Sequence, residues 1–182
     1  PVVGITGSNG KTTVKEMLKS ICQLQFGDIL ATSGNLNNHI GMPLTLLKLD
    51  TSAKVAIIEM GMNHAKELDY LTNIASPSIA VVNNVLLSHA GFFNKIEDIA
   101  QAKAEIYHGL IAGGIACINV LEPLYPIFEE NIGHNVKRFY FGDKKSGCYI
   151  KSVNSDGLMR VVTKIGELNI KLKVLGEHNQ KN

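Results

Sequence analysis

The stretch GITGSNGKTTVKE, residues 4–16, decides how the chain begins to fold. The residues just before its glycines are apolar and β-branched, which predicts a short buried strand. From Thr12 to Leu24, apolar residues recur at the spacing of one helix face. A strand, a glycine turn and a helix in this order place backbone N–H groups at a helix N-terminus, where they bind anions. The stretch therefore predicts a phosphate-binding loop.

This loop is shorter than the general phosphate-loop pattern, in which four residues separate the first glycine from the Gly-Lys pair. Counting back from Gly10 places that first glycine at Ile5, so the strict pattern fails. We predict that the Lys11 ammonium binds outer phosphate oxygens and that the Thr12 hydroxyl binds Mg²⁺. The alternative is a turn that caps a helix and leaves Lys11 solvated, but the flanking strand and helix favour the loop. The residues left to hold phosphate are Gly7, Ser8, Asn9, Gly10, Lys11, Thr12 and Thr13.

Five further strand-like runs recur, with helical segments between them. They are DILAT (28–32), VAIIEM (55–60), IAVVNNV (79–85), GIACINV (114–120) and VKRFYFG (136–142). Helices are expected over residues 12–24, from near residue 42, and over about 65–74, 96–110 and 122–130. Strands that are nearly all apolar and alternate with helices predict an α/β fold, in which helices flank a largely parallel sheet in a three-layer, phosphate-loop-type core.

The pattern changes after Gly142. The runs CYIKSV, LMRVVTKIG and LNIKLKVLG alternate apolar and polar residues with a period of two, and turn residues separate them. This alternation is typical of an antiparallel sheet with one solvated face. We therefore expect a core over residues 1–142 and a small antiparallel β-subdomain over residues 143–175.

Composition and charge are those of an ordinary globular protein. The 182 residues are 45% hydrophobic and 19% charged, with a net charge of +2. No apolar run approaches the roughly 20 residues that span a membrane, so no membrane span is expected. Three scattered cysteines, Cys22, Cys117 and Cys148, predict reduced thiols and a cytoplasmic location. Residues 137–182 carry ten basic and four acidic side chains, which we interpret as solvated hairpin surface and not as a nucleic-acid site.

Polar residues follow the predicted strands at one edge of the sheet, where open α/β folds bind ligands. Glu59 ends an apolar strand, and its carboxylate would suit Mg²⁺, which prefers oxygen ligands. The alternative is a strand-end glutamate in solvent or at a helix N-terminus. His89 follows the fourth strand and is a candidate for a second metal or a phosphate, or else one of six histidines without such a role. Asn35, Asn37 and Asn38 share a glycine-bearing loop and would either bind a polar substrate or satisfy their own turn.

Lys103 lies in the apolar stripe of its predicted helix, four residues after Ile99 and three before Ile106. Such a lysine either extends its ammonium to solvent or is buried with a partner. Burial lowers the pKa of a lysine and makes the neutral amine available for chemistry. The residues alone leave both outcomes open.

Taken together, these stretches resemble the Mur ligase family, the ATP-dependent amide-forming enzymes of peptidoglycan synthesis. The family's shortened phosphate loop accounts for the missing glycine. The resemblance implies that ATP drives the ligation of D-alanyl-D-alanine to a UDP-N-acetylmuramoyl tripeptide through an acyl phosphate, and we expect a monomer. The resembling stretches are ITGSNGKTTVKEM, ATSGNLNNHIGMPLTLL, IIEMGMNHAKEL, AVVNNVLLSHAGFF, AQAKAEIYHGL and VLGEHNQKN.

The resemblance also implies roles in catalysis and metal binding. The loop from Gly7 to Thr13 would hold the ATP phosphates, with Lys11 as a catalytic cation. Thr12 and Glu59 would bind one Mg²⁺, and His89, also counted as catalytic, would help to bind a second. Lys103 matches the family's catalytic lysine that CO₂ converts to a carbamate, and this anion would lie near the metals.

Substrate contacts and domain organisation follow from the same resemblance. The chain would be the central ATP-binding domain, with residues 176–182 starting a linker to a C-terminal domain. The family's N-terminal uridine-binding and C-terminal dipeptide-binding domains are absent from it, so we expect a segment of a longer protein. The nucleotide would lie near His178 and Asn179. The muramoyl substrate would face Asn35, Asn37, Asn38 and Asn63.

Two positions depart from the family pattern. Ala65-Lys66 stands where the family has a Pro-Gly pair, which shifts the expected start of the following helix. Glu177 stands where an arginine that contacts the nucleotide is common.

Two other functions fit the loop. A folylpolyglutamate synthetase-like ligase shares the shortened loop and would act on a pterin substrate, although the GNLNN stretch (34–38) argues against it. A non-catalytic nucleotide-binding module would bind ATP or GTP without needing Lys103.

Overall fold

Six parallel strands form the sheet that carries the site, in a computed structural model that describes residues 1–87 and 92–172. Their order across the sheet is β2-β3-β1-β4-β5-β6, so β1 lies between β3 and β4. Every pair of neighbours in this sheet is parallel, which confirms the predicted fold class. The strands are β1 (Val2–Thr6), β2 (Ile29–Ala31), β3 (Val55–Glu59), β4 (Ile79–Val82), β5 (Ile115–Asn119) and β6 (Lys137–Phe141).

Helices cover both faces of this sheet. They are α1 (Lys11–Phe26), α2 (Gly41–Leu46), α3 (Glu67–Ala75), α4 (Ile96–Ala104) and α5 (Tyr125–Glu130). On one face, Cys22 of α1 is buried against Ile5 of β1. On the other face, a larger core takes Leu68 from α3, Ile99 from α4 and Phe128 from α5. No helix within the described ranges combines the length and apolar character that a membrane crossing needs.

Two helices are shorter than the sequence pattern predicts. The helix expected over 96–110 ends at Ala104, and a 3₁₀ turn, Glu105–Tyr107, continues it. Such tightening is common at helix ends, so the apolar stripe outlasts the α-helix. The helix expected over 122–130 begins only at Tyr125, with a proline in its first turn.

A separate antiparallel sheet follows the parallel one, as predicted. It consists of β7 (Tyr149–Val153), β8 (Leu158–Thr163) and β9 (Gly166–Lys171), in that order. Met159 of β8 is buried, whereas most other residues of the sheet are exposed or half-buried. The last predicted residues of this subdomain, 173–175, and the predicted linker, 176–182, lie outside the described residues.

The buried carboxylate of Glu105 fixes the start of α3. Both of its oxygens accept the Lys66 N–H at 2.9 Å, and one accepts the Asp69 N–H at 3.2 Å. Lys66 has a φ of 72°, a left-handed conformation that cannot continue a right-handed helix. The helix expected from residue 65 therefore starts at Glu67, two residues later.

We predict that Glu105→Ala lowers the free energy of unfolding by about 1.5–3 kcal/mol, because it removes a charged acceptor from two backbone N–H groups. Urea unfolding of the wild type and the variant measures the difference. Glu97→Ala is the matched control, since Glu97 is exposed in the first turn of α4. Its effect should stay below about 0.5 kcal/mol. Equal losses in the two variants would contradict this role of Glu105.

Candidate active site

The glycine loop between β1 and α1 lies at the carboxyl end of the central strand. Gly7 has a φ of 155° and Gly10, which precedes α1, has a φ of 76°. A Cβ at Gly7 would lie 2.9 Å from the Cβ of Asn83, so only glycine fits both the conformation and the space there. Among the described residues, no side chain caps the N-terminus of α1 by a hydrogen bond. The loop thus has the backbone geometry predicted for phosphate binding.

The loop after β4 braces the glycine loop. The Ser8 N–H donates to the Asn84 carbonyl at 3.0 Å, and the Asn9 N–H donates to Asn84 Oδ1 at 2.9 Å. In return, the side-chain amides of Asn83 and Asn84 donate to the Asn9 carbonyl at 2.9 and 3.1 Å. The Ser8 hydroxyl also accepts the Leu86 N–H at 2.9 Å. Ser8 and Asn9, which were predicted to hold phosphate, therefore use these N–H groups to hold the loop in shape.

Lys11 folds back over its own loop. Its Nζ donates to the Gly7 carbonyl at 2.8 Å and to the Ser8 carbonyl at 3.4 Å. Burial lowers the pKa of Lys11, and the nearby charge of Glu59 partly opposes that shift. The ammonium therefore lies at the loop with acceptors that an incoming anion can replace.

Thr12 and Glu59 meet across the end of the sheet, as the sequence predicts. The Thr12 hydroxyl donates to Glu59 Oε2 at 2.9 Å, and the Asn37 amide donates to Oε1 at 2.8 Å. Glu59 is only 2% exposed, so the alternative of a solvated strand-end glutamate is wrong. Hydroxyl and carboxylate oxygens are the ligands that Mg²⁺ prefers.

The donor set limits how a metal would be held here. No group of three or more His, Cys, Asp and Glu side chains suited to a metal occurs among the described residues. A Mg²⁺ ion commonly takes one or two carboxylates and fills its other positions with water and substrate phosphate oxygens. The Thr12–Glu59 pair fits that pattern and not the pattern of an all-protein metal cage.

Lys103 is buried, at 2% exposure, so the alternative in which its ammonium reaches solvent is wrong. Burial and the nearby charge of Lys11 lower the pKa of Lys103 to about 7. No salt bridge reaches its ammonium from the part of the chain that the structure describes. A substantial fraction of Lys103 is therefore the neutral amine near neutral pH.

A cleft of about 580 Å³ opens beside Lys11. Gly61 and Met62, which follow β3, form part of its wall, and Lys66 and Tyr70 lie on its far side. The four asparagines that were predicted to face the substrate all line it: Asn35, Asn37, Asn38 and Asn63.

Two of these asparagines also make hydrogen bonds within the protein. The Asn38 side-chain oxygen accepts the Ile40 and Gly41 N–H groups at 3.1 and 2.8 Å, which starts α2. Asn37 holds Glu59, as described above. The sequence left open whether these asparagines bind substrate or satisfy their own turn, and Asn38 both satisfies its turn and lines the cleft.

The model of the Mur ligase middle domain matches residues 5–182. The chain belongs to the Mur ligase family. It is 40% identical over 183 residues to the UDP-N-acetylmuramoyl-tripeptide–D-alanyl-D-alanine ligase of Haemophilus influenzae, covering 99% of this chain and 40% of that enzyme. The chain thus spans about 40% of the length of the curated relatives it matches.

Solved Mur ligase structures share the fold. A MurF crystal structure from Acinetobacter baumannii matches with a TM-score of 0.93 at 32% identity, over 99% of this chain and 40% of that one. A MurF ligase from Thermotoga maritima in complex with ADP matches with a TM-score of 0.83 at 27% identity, over 98% of this chain and 42% of that one.

Several predicted site residues of this Mur ligase lie outside the described residues. His89 falls in the range 88–91, and His178 and Asn179 fall in the range 173–182. The departure at Glu177 falls in the second range as well.

The sequence analysis gave no role to Lys15 or Thr6. The apolar residues of α1 suggested a buried face that includes Ile21, but Ile21 is 64% exposed, and the buried face passes through Lys15 and Cys22. The spacing of seven residues between Lys15 and Cys22 places both on one helix face, and this spacing was the signal in the sequence that could have identified the buried face.

The Thr6 hydroxyl, directly before the loop, is fully buried and has no hydrogen-bond partner in the described part of the chain. Nothing in its strand pattern distinguishes it.

We predict that, from pH 7 to 10.5, the unfolding free energy of this Mur ligase domain rises relative to that of a Lys103→Met variant. The pKa of Lys103 is about 7 when folded and 10.5 in its ordinary state. In this window the unfolded chain binds the additional proton, so raising the pH favours the folded state. The difference grows by at most about 1.4 kcal/mol per pH unit.

Urea unfolding in CO₂-free buffers across this window measures the difference. Lys95→Met is the control, because Lys95 is exposed just before α4. Parallel curves for the wild type and Lys103→Met would contradict the buried, deprotonated state of Lys103.

Proposed function

We propose that the chain is the ATP-binding middle domain of a longer ligase that joins D-alanyl-D-alanine to a UDP-N-acetylmuramoyl tripeptide. The observation that carries this proposal is the Thr12–Glu59 contact of 2.9 Å beside Lys11. It places a metal-type oxygen pair and a cation at a glycine loop. The named activity of the relative at 40% identity and the ADP in the Thermotoga maritima structure support it.

In the first step, the tripeptide carboxylate attacks the γ-phosphorus of ATP, which forms an acyl phosphate and releases ADP. Lys11 exchanges the Gly7 and Ser8 carbonyls for phosphate oxygens and stabilises the charge that moves during transfer. Thr12 and Glu59 would hold Mg²⁺, which neutralises phosphate charge when it is bound. The braces from Asn83 and Asn84 keep the loop in shape, so little reorganisation is needed.

In the second step, the amine of D-alanyl-D-alanine attacks the acyl carbonyl. A tetrahedral intermediate forms, phosphate leaves and the amine loses a proton, which completes the amide. The cleft beside Lys11 would hold the peptide end of the first substrate, with Asn35 and Asn63 facing it. We expect the ligase to act as a monomer.

We further propose that Lys103 acts as a carbamate. Its neutral Nζ would add to the carbon of CO₂ and release one proton, which turns a buried cation into an anion. The support is its burial, its pKa of about 7 and its position near Lys11. His89 is proposed for a second Mg²⁺ and Asn179 for a nucleotide contact, from the resemblance alone. The free cysteines Cys22, Cys117 and Cys148 are consistent with a cytoplasmic enzyme.

The two rival functions have less support. Neither a folylpolyglutamate synthetase-like ligase nor a non-catalytic nucleotide-binding module accounts for the 40% identity to a D-alanyl-D-alanine-adding ligase. The non-catalytic module also gives no reason to bury Lys103 next to the loop. A substrate panel that includes a pterin substrate separates the first rival.

We predict that the ligase containing this chain releases ADP over many turnovers only when both the UDP-N-acetylmuramoyl tripeptide and D-alanyl-D-alanine are present. Lys11→Ala should lower this rate by about 10²–10³ or more, because it removes a cation from the transferring phosphate. A coupled assay of ADP release measures both. Lys19→Ala, two turns along α1, is the control and should keep the wild-type rate. Near-normal turnover of Lys11→Ala would reject the assignment.

We predict that Lys103→Ala inactivates the same ligase and that a short carboxylate such as formate or acetate restores part of its activity. The added anion would replace the carbamate that the variant cannot form. ADP release is measured against carboxylate concentration, with Lys95→Ala as the control that should need no rescue. An active Lys103→Ala variant, or one that no carboxylate restores while it still binds ADP, would count against the carbamate.

A further inference from the structure

Lys15 is a buried lysine that the proposed reaction does not use. It lies on α1 one turn beyond Lys11, and only 1% of it is exposed. Burying an ammonium costs free energy unless partners compensate for the lost water. A methionine would fill similar space without that cost. The contacts of Lys15 should therefore show what the charge is for.

Two acceptors bind the Lys15 ammonium. Its Nζ donates to the Thr32 carbonyl at 2.8 Å and forms a salt bridge with Glu16 Oε1 at 2.8 Å. The Glu16 side chain is 54% exposed, so that contact alone does not explain a buried ammonium. The Thr32 carbonyl is the buried partner, since Thr32 is 2% exposed.

Thr32 connects this ammonium to the metal-type pair. It directly follows β2, and its hydroxyl accepts the Glu59 N–H at 2.9 Å. Its own N–H donates to the Ile57 carbonyl at 3.0 Å. The backbone of Glu59 is therefore held by Thr32, while its carboxylate is held by Thr12 and Asn37. Thr12 and Lys15 lie on the same helix. Helix α1 therefore holds the Glu59 carboxylate directly through Thr12 and the Glu59 backbone indirectly through Lys15 and Thr32.

We propose that Lys15 is a positioning residue for the magnesium–nucleotide site. Lys15 holds Thr32 so that Glu59 presents its carboxylate to the metal beside Thr12. This inference rests on the proposed function, because it concerns the metal that Thr12 and Glu59 would share. Partners that orient a metal-binding carboxylate commonly change metal affinity by about 10–100-fold when they are lost. A residue that only packs α1 on the sheet would change nucleotide binding equally with and without metal.

The test is calorimetric titration of ADP into the ligase that contains this chain, with Mg²⁺ and with a chelator in its place. The ratio of the two dissociation constants is the magnesium gain. Lys15→Met and Thr32→Val should each lose about tenfold of this gain, with an unchanged dissociation constant in chelator. Thr32→Ser keeps the hydroxyl and should restore the gain. Lys19→Met, one turn further along α1, should keep it as well, and thermal unfolding checks the fold of each variant.

The outcomes separate this inference from the proposed function. A wild-type chain that binds no ADP, or shows no magnesium gain, overturns both. If the wild type, Lys15→Met and Thr32→Val all show the same magnesium gain, only the proposed role of Lys15 is overturned. An equal loss of ADP affinity with and without Mg²⁺ assigns Lys15 to packing and overturns it too. If Lys15→Met does not fold, Lys15→Gln, which also removes the ammonium from the Thr32 carbonyl, decides by the same ratio.

Discussion

The hydrogen bond between Thr12 and the buried carboxylate of Glu59 is the contact on which the site depends. Parallel pairing of β1 with β3 sets Ile5 opposite Glu59, which brings the end of β3 to the start of the glycine loop. A carboxylate at 2% exposure needs donors for both oxygens. Thr12 supplies one and Asn37 the other. Because Thr12 lies in the first turn of α1 and Asn37 in the loop after β2, the same bonds that satisfy Glu59 also fix both segments beside the cleft.

The charges around this contact favour a polyanion. Burial and the charge of Lys11 lower the pKa of Lys103, while burial lowers the pKa of Lys11 and the Glu59 carboxylate opposes that shift. The protein accommodates the ammonium groups of these two lysines in two ways. Lys11 donates to loop carbonyls, and Lys103, which has no such acceptor in the described structure, has a pKa of about 7. A triphosphate brings the negative charge that this arrangement lacks.

The sequence predicted the parts of the site that follow from periodicity and from a local motif. Apolar runs that alternate with helical segments predicted the parallel sheet. The carboxylate at the end of one of these runs predicted that Glu59 belongs to the site. The sequence could not predict which distant polar groups pair. Asn37 and Asn84 bind partners 22 and 75 residues away, and periodicity reports burial but not partners. Lys15 was missed for a related reason, because a lysine on a helix is expected on the solvated face.

Lys66 shows how a departure from the family pattern is accommodated. The resemblance places a glycine at this position, and the lysine keeps a φ of 72°, a conformation that glycine adopts freely and other residues at some cost. The two bonds from the Lys66 N–H to the Glu105 carboxylate hold the backbone there. The conformation therefore depends on a buried acceptor from another helix and not on the identity of residue 66. The loop that lines the cleft thus takes a left-handed turn at Lys66 without a glycine there.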